Sequence, residues 1–255
     1  MNKSSSYPEV VKNILNTVKG IEYLKYELQN IKLKKASFIG MDGGNPNSEY
    51  WFCGIEFGSE LEEMASYYDE YVKFYNESDF LIPYREDCPE QFLKSFFDKY
   101  LASIYSNLFK ENEYTNKEEI DIILKNELYN KSSEIFKINL FPIAKKDVSW
   151  DKNFESKLNI NKKEYYGEIF NNRINFIKQI SEKFKPKVIV CFSTKEYSEH
   201  FERTFFKKGE SINYQFDSIE LKNGKKGNIK IYENNFHKVI IIPFLGRGNL
   251  ASDPS

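Results

Sequence analysis

The stretch "YWFCGIEFGSEL", residues 50–61, reads as a buried strand that turns on two glycines and then continues as a helix. The aromatic and apolar residues that begin it indicate protein core, whereas Glu56 stands just past the end of the predicted strand. Ligands of open α/β sheets bind beyond the carboxyl ends of the strands. We therefore expect the Glu56 side chain to face a cleft.

Three further apolar runs of strand length follow along the chain, "IFKINLF", "PKVIVCF" and "KVIIIPF". Helical patterns separate them, and strands that alternate with helices indicate a parallel sheet. A hairpin is predicted from "YQFDSIEL" and "IKIYEN", which flank the turn "NGKKGN". Helices are predicted in "EQFLKSFFDKYLASIYSNLF", "NKEEIDIILKNELYN", "KKEYYGEIFNNRINFIKQISEKF" and, behind a threonine that could cap it, "TKEYSEHFERTFF".

The predicted fold class is α/β: a three-layer αβα arrangement around a doubly wound, mainly parallel four-stranded sheet, with extra N-terminal and inserted helices. We expect a single domain over residues 1–255, with an N-terminal helical extension at about 1–35 and a helical insertion at about 59–134. The four strands, near residues 50–55, 135–141, 187–192 and 239–243, should be parallel neighbours.

The balance of charge limits the kinds of partner. The chain has 37 basic and 38 acidic residues, for a formal net charge of −1, so a nucleic-acid site would have to be a local patch. No apolar run approaches about 18 residues, and the start "MNKSSSYPEVVKN" lacks the apolar core of a secretory signal. We expect a soluble cytoplasmic protein with no membrane partner.

Cysteine and histidine are too scattered to predict a metal site. The three cysteines, Cys53, Cys88 and Cys191, form no CxxC motif, and two of them lie inside apolar strand runs. The two histidines, His200 and His237, have no HExxH or other ligand spacing. We therefore expect buried reduced thiols, no metal and no cofactor.

Four strand ends, taken in order, resemble those of a known family. They are "FCGIEFG", "KINLFPIAKK", "PKVIVCF" and "IIIPFLGRGNL", and together they resemble the uracil-DNA glycosylase superfamily over roughly residues 50–250. That family has a Gly-x-x-Pro-Gly type loop after its first core strand, an asparagine ending the second, a "PKVIV" type third strand and a loop resembling His-Pro-Ser after the last. The resemblance implies a divergent member that binds DNA, single-stranded or damaged, or a nucleotide, and that hydrolyses an N-glycosidic bond.

The resemblance assigns Glu56 and Asn139 to catalysis. Glu56 lies where the family positions the attacking water, and a carboxylate there could accept a proton and stabilise positive charge on the sugar. It could instead cap the following helix. Asn139 falls where the family's asparagine reads the Watson–Crick edge of a flipped base, because an amide both donates and accepts hydrogen bonds. It could instead fix the turn before Pro142.

The last loop departs most from the family pattern, because no histidine stands where the family has one to stabilise the departing base. Arg247 is the third predicted catalytic residue, since its charge could stabilise a phosphate or the leaving group. Its neighbours are assigned to substrate binding, because backbone N–H groups beside glycines can bind phosphate; they are Gly246, Gly248 and Asn249. The chain also lacks the four-cysteine iron–sulfur cluster of some family members.

Aromatic residues near the first loop are further substrate-binding candidates. Phe57 could stack on a base or pack under the loop. Tyr67 or Tyr68 could be the base-stacking aromatic of the family, although helical spacing would place at least one of them in the core. The loop itself completes this set with Gly54, Ile55 and Gly58.

Two polar stretches complete the predicted site. "DGGNPN", residues 42–47, holds many turn formers next to the first motif, and Asp42 could join Glu56 at the cleft or close an Asx turn. Lys145, together with Lys146 and Trp150, could grip a strand backbone or form a solvated face.

Two hypotheses about function follow from these residues. In the first, the protein binds DNA and excises a base, with Glu56 directing water, Asn139 reading the base and Arg247 stabilising charge, all converging on one cleft. In the second, a non-catalytic protein keeps the cleft for nucleic acid or a nucleotide, which the missing loop histidine favours. A plain interaction module would require the four-strand correspondence to be accidental.

Overall fold

The computed structural model describes residues 43–55, 95–110, 116–128, 130, 132–142, 150, 152, 155, 161–206, 212–220 and 226–244. The chain divides into two units. We call the first the helical unit, with Met1–Asp42, Ile55–Phe80 and Asn139–Lys183, and the second the sheet unit, with Gly43–Gly54, Leu81–Ile138 and Phe184–Ser255. The prediction of a single domain stays a prediction, because parts of both units lie outside the described residues.

The described strands form one seven-stranded mixed sheet in the order β1-β3-β2-β4-β7-β6-β5. β4 pairs in parallel with both β2 and β7, whereas the pairs β1–β3, β6–β7 and β5–β6 are antiparallel. The bounds are β1 Gly43–Gly44, β2 Tyr50–Gly54, β3 Ile135–Asn139, β4 Val188–Ser193, β5 Asn213–Glu220, β6 Lys226–Glu233 and β7 Lys238–Pro243.

The four strands predicted to be neighbours are neighbours, in the order β3-β2-β4-β7. The described sheet nevertheless has seven strands rather than four, because the predicted hairpin β5–β6 joins it beside β7 and the two-residue β1 pairs with β3 at the other edge. Residues 234–237 are all that separates β6 from β7. So short a connection allows only antiparallel pairing, since parallel strands need a crossover of about a dozen residues. The fold class is α/β, with a mixed sheet.

Helices fill the intervals in which they were predicted. α1 spans Phe96–Phe109 and α2 spans Lys117–Asn126. Residues 162–184 are helical throughout, the range that the sequence predicts, as α3 (Lys162–Glu164), a π-helical segment (Tyr165–Phe170) and α4 (Asn171–Phe184). α5 spans Ser198–Phe205. Within the described ranges, none of the helices has both the length and the apolar character that crossing a membrane requires.

Helix starts follow capping chemistry in two cases and depart from it in a third. Ser95 Oγ accepts a hydrogen bond from the Asp98 N–H at 3.2 Å, and Asn116 accepts one from the Glu119 N–H at 2.9 Å, which fixes the starts of α1 and α2. The prediction that Thr194 caps α5 is wrong. A turn intervenes, in which the Thr194 carbonyl accepts from the Tyr197 N–H at 3.2 Å, and α5 begins only at Ser198.

The core of the sheet unit is rich in aromatic side chains. Trp51 meets Phe136 edge to face at 4.9 Å, and Phe52 stacks near Phe192 at 6.1 Å. Cys53 and Cys191 stand opposite each other on β2 and β4, and both are free and fully buried, as predicted. Burial raises the pKa of the Cys191 thiol, and the neighbouring Cys53 raises it further, so both residues act as small core side chains.

Residues 43–47, "GGNPN", build the edge of the described sheet beside β3. Gly43 and Gly44 form β1, and the Asn45 N–H continues the pairing by donating to the Ile135 carbonyl at 2.9 Å. The Asn45 side chain then accepts from the Asn47 N–H at 3.0 Å, which makes an Asx turn. Residues 43–47 are therefore structural, while Asp42 lies outside the described residues, as do the predicted N-terminal helical extension and the helix predicted to follow the first loop.

Gly44→Ala is expected to destabilise the protein by about 1–3 kcal/mol. Gly44 has a φ of +97°, and a Cβ added there would overlap the Ile135 carbonyl oxygen. Urea unfolding measures the change, with Gly167→Ala as the control, because a Cβ at Gly167 would meet nothing within 4 Å. Equal stability of the Gly44 variant and the wild type would contradict this conformation.

Candidate functional site

Three of the predicted site residues lie in the described part of the chain: Gly54, Ile55 and Asn139. Gly54 ends β2 and Asn139 ends β3, so each stands at the carboxyl end of a core strand, as predicted. The others lie outside the described residues, and their roles stay predictions; they are Asp42, Glu56, Phe57, Gly58, Tyr67, Tyr68, Lys145, Gly246, Arg247, Gly248 and Asn249.

The backbone of Asn139 is held by a buried arginine. Arg173 on α4 is fully buried, and its Nε and Nη2 donate to the Asn139 carbonyl at 3.0 and 2.7 Å. Its guanidinium also lies 5.2 Å from the centre of the Phe176 ring. Burying a guanidinium is costly unless its hydrogen bonds are made, and charge-assisted bonds from a planar fork are strong and directional. Arg173 therefore fixes the direction in which the chain leaves β3.

A second hydrogen bond fixes the same turn from the other side. The Phe141 N–H donates to the Ile55 carbonyl at 2.7 Å, and both residues are buried. The residue that follows β2 is thereby joined to the turn that follows Asn139. Side chains on backbone held at both ends are preorganised, which binding and catalytic groups require. Within the helical unit, these hydrogen bonds therefore hold the backbone of Asn139 in a fixed position.

Five aromatic rings pack around this turn in the helical unit. The Phe141 ring stacks on Phe170 at 4.4 Å and lies 6.3 Å from Tyr165 and 5.8 Å from Tyr166. These three partners of Phe141 belong to the π-helical segment. π-helical turns are frequent at functional sites. Trp150 lies 5.0 Å from Tyr165 and donates its indole N–H to Glu155 at 2.7 Å, so its described contacts hold it within the helical unit.

The sheet unit carries a separate arrangement where β4 and β7 end. The Phe244 N–H donates to the Ser193 carbonyl at 2.9 Å, which holds the first residue after β7 against the end of β4. The Phe97 ring on α1 stacks near Phe244 at 6.0 Å and meets Phe192 edge to face at 5.1 Å. The first residue after β7, Phe244, is therefore held by a backbone hydrogen bond and by the Phe97 ring.

A buried ion pair lies next to Phe97. Lys137 Nζ on β3 is 3.2 Å from Asp98 Oδ1 on α1, and the two side chains are only 3% and 4% exposed. The same ammonium lies 5.1 Å from the centre of the Phe97 ring. Hydrophobic side chains of similar volume often stabilise a core as well as a buried pair does, so such pairs are candidates for a role in function.

Neither histidine lies where the family's last loop has one. His237 stands immediately before β7, at the opposite end of that strand from Phe244, and its Nε2 is 3.3 Å from the Phe205 carbonyl oxygen. His200 lies on α5, where burial lowers its pKa and the nearby Arg203 lowers it further. Among the described residues, no group of three or more His, Cys, Asp or Glu side chains could hold a metal ion.

The residues that sequence reasoning missed had a visible signal. Lys137 interrupts the apolar run "IFKINLF", and Arg173 lies among the buried positions of α4, with Ile174, Ile177 and Ile180. A charged residue on an apolar face predicts a buried partner. The sequence alone does not name that partner; the described partners include a backbone carbonyl for Arg173 and a carboxylate 39 residues away for Lys137.

No family model, curated protein or solved structure matches the chain.

Proposed function

We propose that this protein is a divergent uracil-DNA-glycosylase-like protein, with a doubly wound αβα fold, that binds DNA and releases a base by hydrolysing its N-glycosidic bond. The observation that carries the proposal is the position of Asn139. The residue predicted to read the base ends a core strand, and its carbonyl is held by the buried Arg173. The four strands whose ends resemble those of the family are neighbours in the order β3-β2-β4-β7, and this order supports the same proposal.

In this proposal three side chains divide the reaction. The Asn139 amide reads the base by donating and accepting one hydrogen bond each. The Glu56 carboxylate orients a water and accepts its proton as the water oxygen bonds to the sugar carbon and the bond from that carbon to the base breaks. The base leaves as an anion that carries the bonding electrons, and Arg247 stabilises its negative charge or a flanking phosphate. The anion then takes a proton from solvent, and Glu56 releases to solvent the proton that it accepted.

The alternative is a protein that binds nucleic acid or a nucleotide without catalysis. His237 lies before β7 rather than after it. This position favours the alternative, because the last loop then has no histidine to stabilise the departing base. Base release from DNA containing uracil, hypoxanthine or modified cytosine, in duplex and single-stranded form, tests the two functions. Release supports the glycosylase, whereas DNA binding without release on any substrate supports the alternative.

Arg247→Ala is expected to weaken DNA binding to a similar extent across sequences and to reduce the slope of log K against log salt concentration by about one. The reason is that a phosphate contact releases counterions but reads no base. Fluorescence anisotropy over a salt titration measures both quantities. Arg203→Ala is the matched control, since Arg203 is 73% exposed on α5 and is predicted to contact no DNA. Equal binding and equal slopes for the Arg247 variant and the wild type would remove Arg247 from the site.

A further inference from the structure

Two half-exposed aromatic rings rest on buried rings in the helical unit, beside the turn that follows β3. Trp150 lies 5.0 Å from the buried Tyr165 and 6.2 Å from Tyr166. Tyr166 in turn meets the buried Phe141 edge to face at 5.8 Å. Trp150 and Tyr166 are both partly exposed, and we call them the aromatic platform. Tryptophan and tyrosine are enriched where proteins bind other molecules, because they offer a large apolar ring and a polar group together.

Packing and hydrogen bonds fix the aromatic platform before any ligand binds. The Trp150 indole N–H donates to Glu155 Oε1 at 2.7 Å, and the same oxygen accepts from the Lys162 N–H at 3.0 Å. Glu155 thereby joins Trp150 to the first residue of α3. Tyr166 belongs to the π-helical segment and also meets Phe170 edge to face at 5.4 Å. Rings held in this way lose little conformational entropy when they bind a partner.

Basic side chains accompany the aromatic platform. Lys162 Nζ lies 5.9 Å from the centre of the Tyr166 ring, and Lys152, Lys162 and Lys163 are exposed. Residues 145–163 have six basic and three acidic side chains, whereas the rest of the chain has 31 basic and 35 acidic ones. This segment is therefore a basic stretch in an otherwise acidic chain. A protein with a net charge of −1 requires such a local patch to bind nucleic acid.

Rings combined with ammonium groups fit an unpaired strand of nucleic acid. The rings stack on the faces of the bases, and the ammonium groups bind the phosphates. In a duplex each base is already stacked on its neighbours and paired. A duplex would therefore gain phosphate contacts from the lysines but no stacking from the aromatic platform.

The aromatic platform lies close to the residue that is proposed to read the target base. Phe141 follows Asn139 by two residues, and its backbone N–H is held by the Ile55 carbonyl at 2.7 Å. The Phe141 ring then contacts Tyr166. Because Asn139 occupies the end of β3, the base that reaches the rings is a neighbour of the target in the strand.

We propose that Trp150 and Tyr166 stack on an unpaired base beside the target base, while Lys162 binds a phosphate of the same strand. The inference rests on the proposed function in taking DNA as the ligand. It adds that the DNA is single-stranded on this side of the target. The stacking reads no sequence, because every base has a face on which a ring can stack.

Binding of single-stranded DNA of mixed sequence, measured by the fluorescence anisotropy of labelled DNA, tests the aromatic platform. We expect Trp150→Ala to weaken this binding by about tenfold or more, and Trp150→Phe to keep most of it because phenylalanine still stacks. Affinity for a fully paired duplex should change by less than about twofold, since its bases are already stacked. Phe236→Ala is the matched control, because Phe236 is 65% exposed and belongs to the sheet unit. It should leave both affinities unchanged.

Tryptophan fluorescence tests the stacking in the wild-type protein, without a substitution that could affect folding. The chain has two tryptophans, and Trp51 is fully buried, so quenching by a stacked base reports on Trp150. We expect single-stranded DNA to quench the wild-type emission. The emission of Trp150→Phe, in which only Trp51 remains, should not change.

Lys162→Met is expected to reduce the slope of log K against log salt concentration for single-stranded DNA by about 0.7, because one phosphate contact is lost. Lys187→Met is the matched control, since its side chain is 69% exposed in the sheet unit. An unchanged slope for the Lys162 variant would contradict the phosphate contact.

Three results would overturn the stacking: a wild type that binds no single-stranded DNA, equal affinity of the wild type and a folded Trp150→Ala protein, or binding that leaves the tryptophan emission unchanged. Circular dichroism verifies the fold of each variant. The proposed enzyme fails separately. Stacking that depends on Trp150 without release of any base would contradict the glycosylase and support the aromatic platform, whereas base release with unchanged tryptophan emission would do the reverse.

Discussion

Glu56→Gln is expected to lower base release by about 10²–10⁴-fold while most of the DNA affinity is kept, because a water-activating carboxylate acts mainly on the transition state. Glutamine keeps the size and hydrogen-bonding capacity of the side chain but cannot accept the proton of the attacking water. Single-turnover release of the free base, measured beside DNA affinity, separates the chemical step from binding.

A helix cap would behave differently. Loss of a charge near a helix start costs about 1 kcal/mol or less of stability, and base release would then persist near its wild-type rate. Glu199→Gln is the control for that effect, since Glu199 lies in the first turn of α5 and its side chain is 76% exposed. Release by the Glu56 variant at the wild-type rate would remove Glu56 from the mechanism and make Asp42 the next candidate to anchor the water.

Arg173→Met is expected to destabilise the protein by about 1–3 kcal/mol, because the buried Asn139 carbonyl loses both of its guanidinium donors. Arg173→Lys keeps the charge but not the planar fork, so we expect an intermediate loss. Urea unfolding measures both variants. Arg203→Met, at a side chain that is 73% exposed, should change stability by less than about 0.5 kcal/mol.

The positioning role of Arg173 makes a second, separable prediction for the same variant. If Arg173 aligns Asn139, base release by the folded Arg173→Met protein should fall by about 10-fold or more, with a smaller change in DNA affinity. A variant that loses stability but releases base at the wild-type rate would show that Arg173 supports the fold alone. A variant as stable as the wild type would contradict the hydrogen bonds to the Asn139 carbonyl.

Apolar runs and turn residues predicted the strands and helices well, because these patterns act locally. The run "KVIIIPF" became β7, and the helix predicted over residues 162–184 has those bounds in the structure. The π-helical turn inside that helix was not predicted, since its residues have ordinary helical spacing. The strand count was too low because the neighbours of a strand depend on tertiary pairing, here of β6 with β7 and of the two glycines of β1 with β3.

The candidate site was predictable only in part. The resemblance selected Asn139, and the structure places that residue at the end of β3, where the sequence predicts it. It could not select Arg173 or the Lys137–Asp98 pair, because their roles depend on partners that are distant in the chain. Thr194 shows the reverse error: its residue type suits a helix cap, but a turn separates it from α5 and its side chain caps nothing.

The most direct test of the account is release of a free base from DNA by the wild-type protein, detected by mass spectrometry under single-turnover conditions with protein in excess. The substrates are duplexes and single strands that contain uracil, hypoxanthine or modified cytosine, each beside the same DNA with normal bases only. We expect release of one free base, with an abasic site left at its position and no release from normal DNA. Binding to these DNAs without release of any base would contradict it.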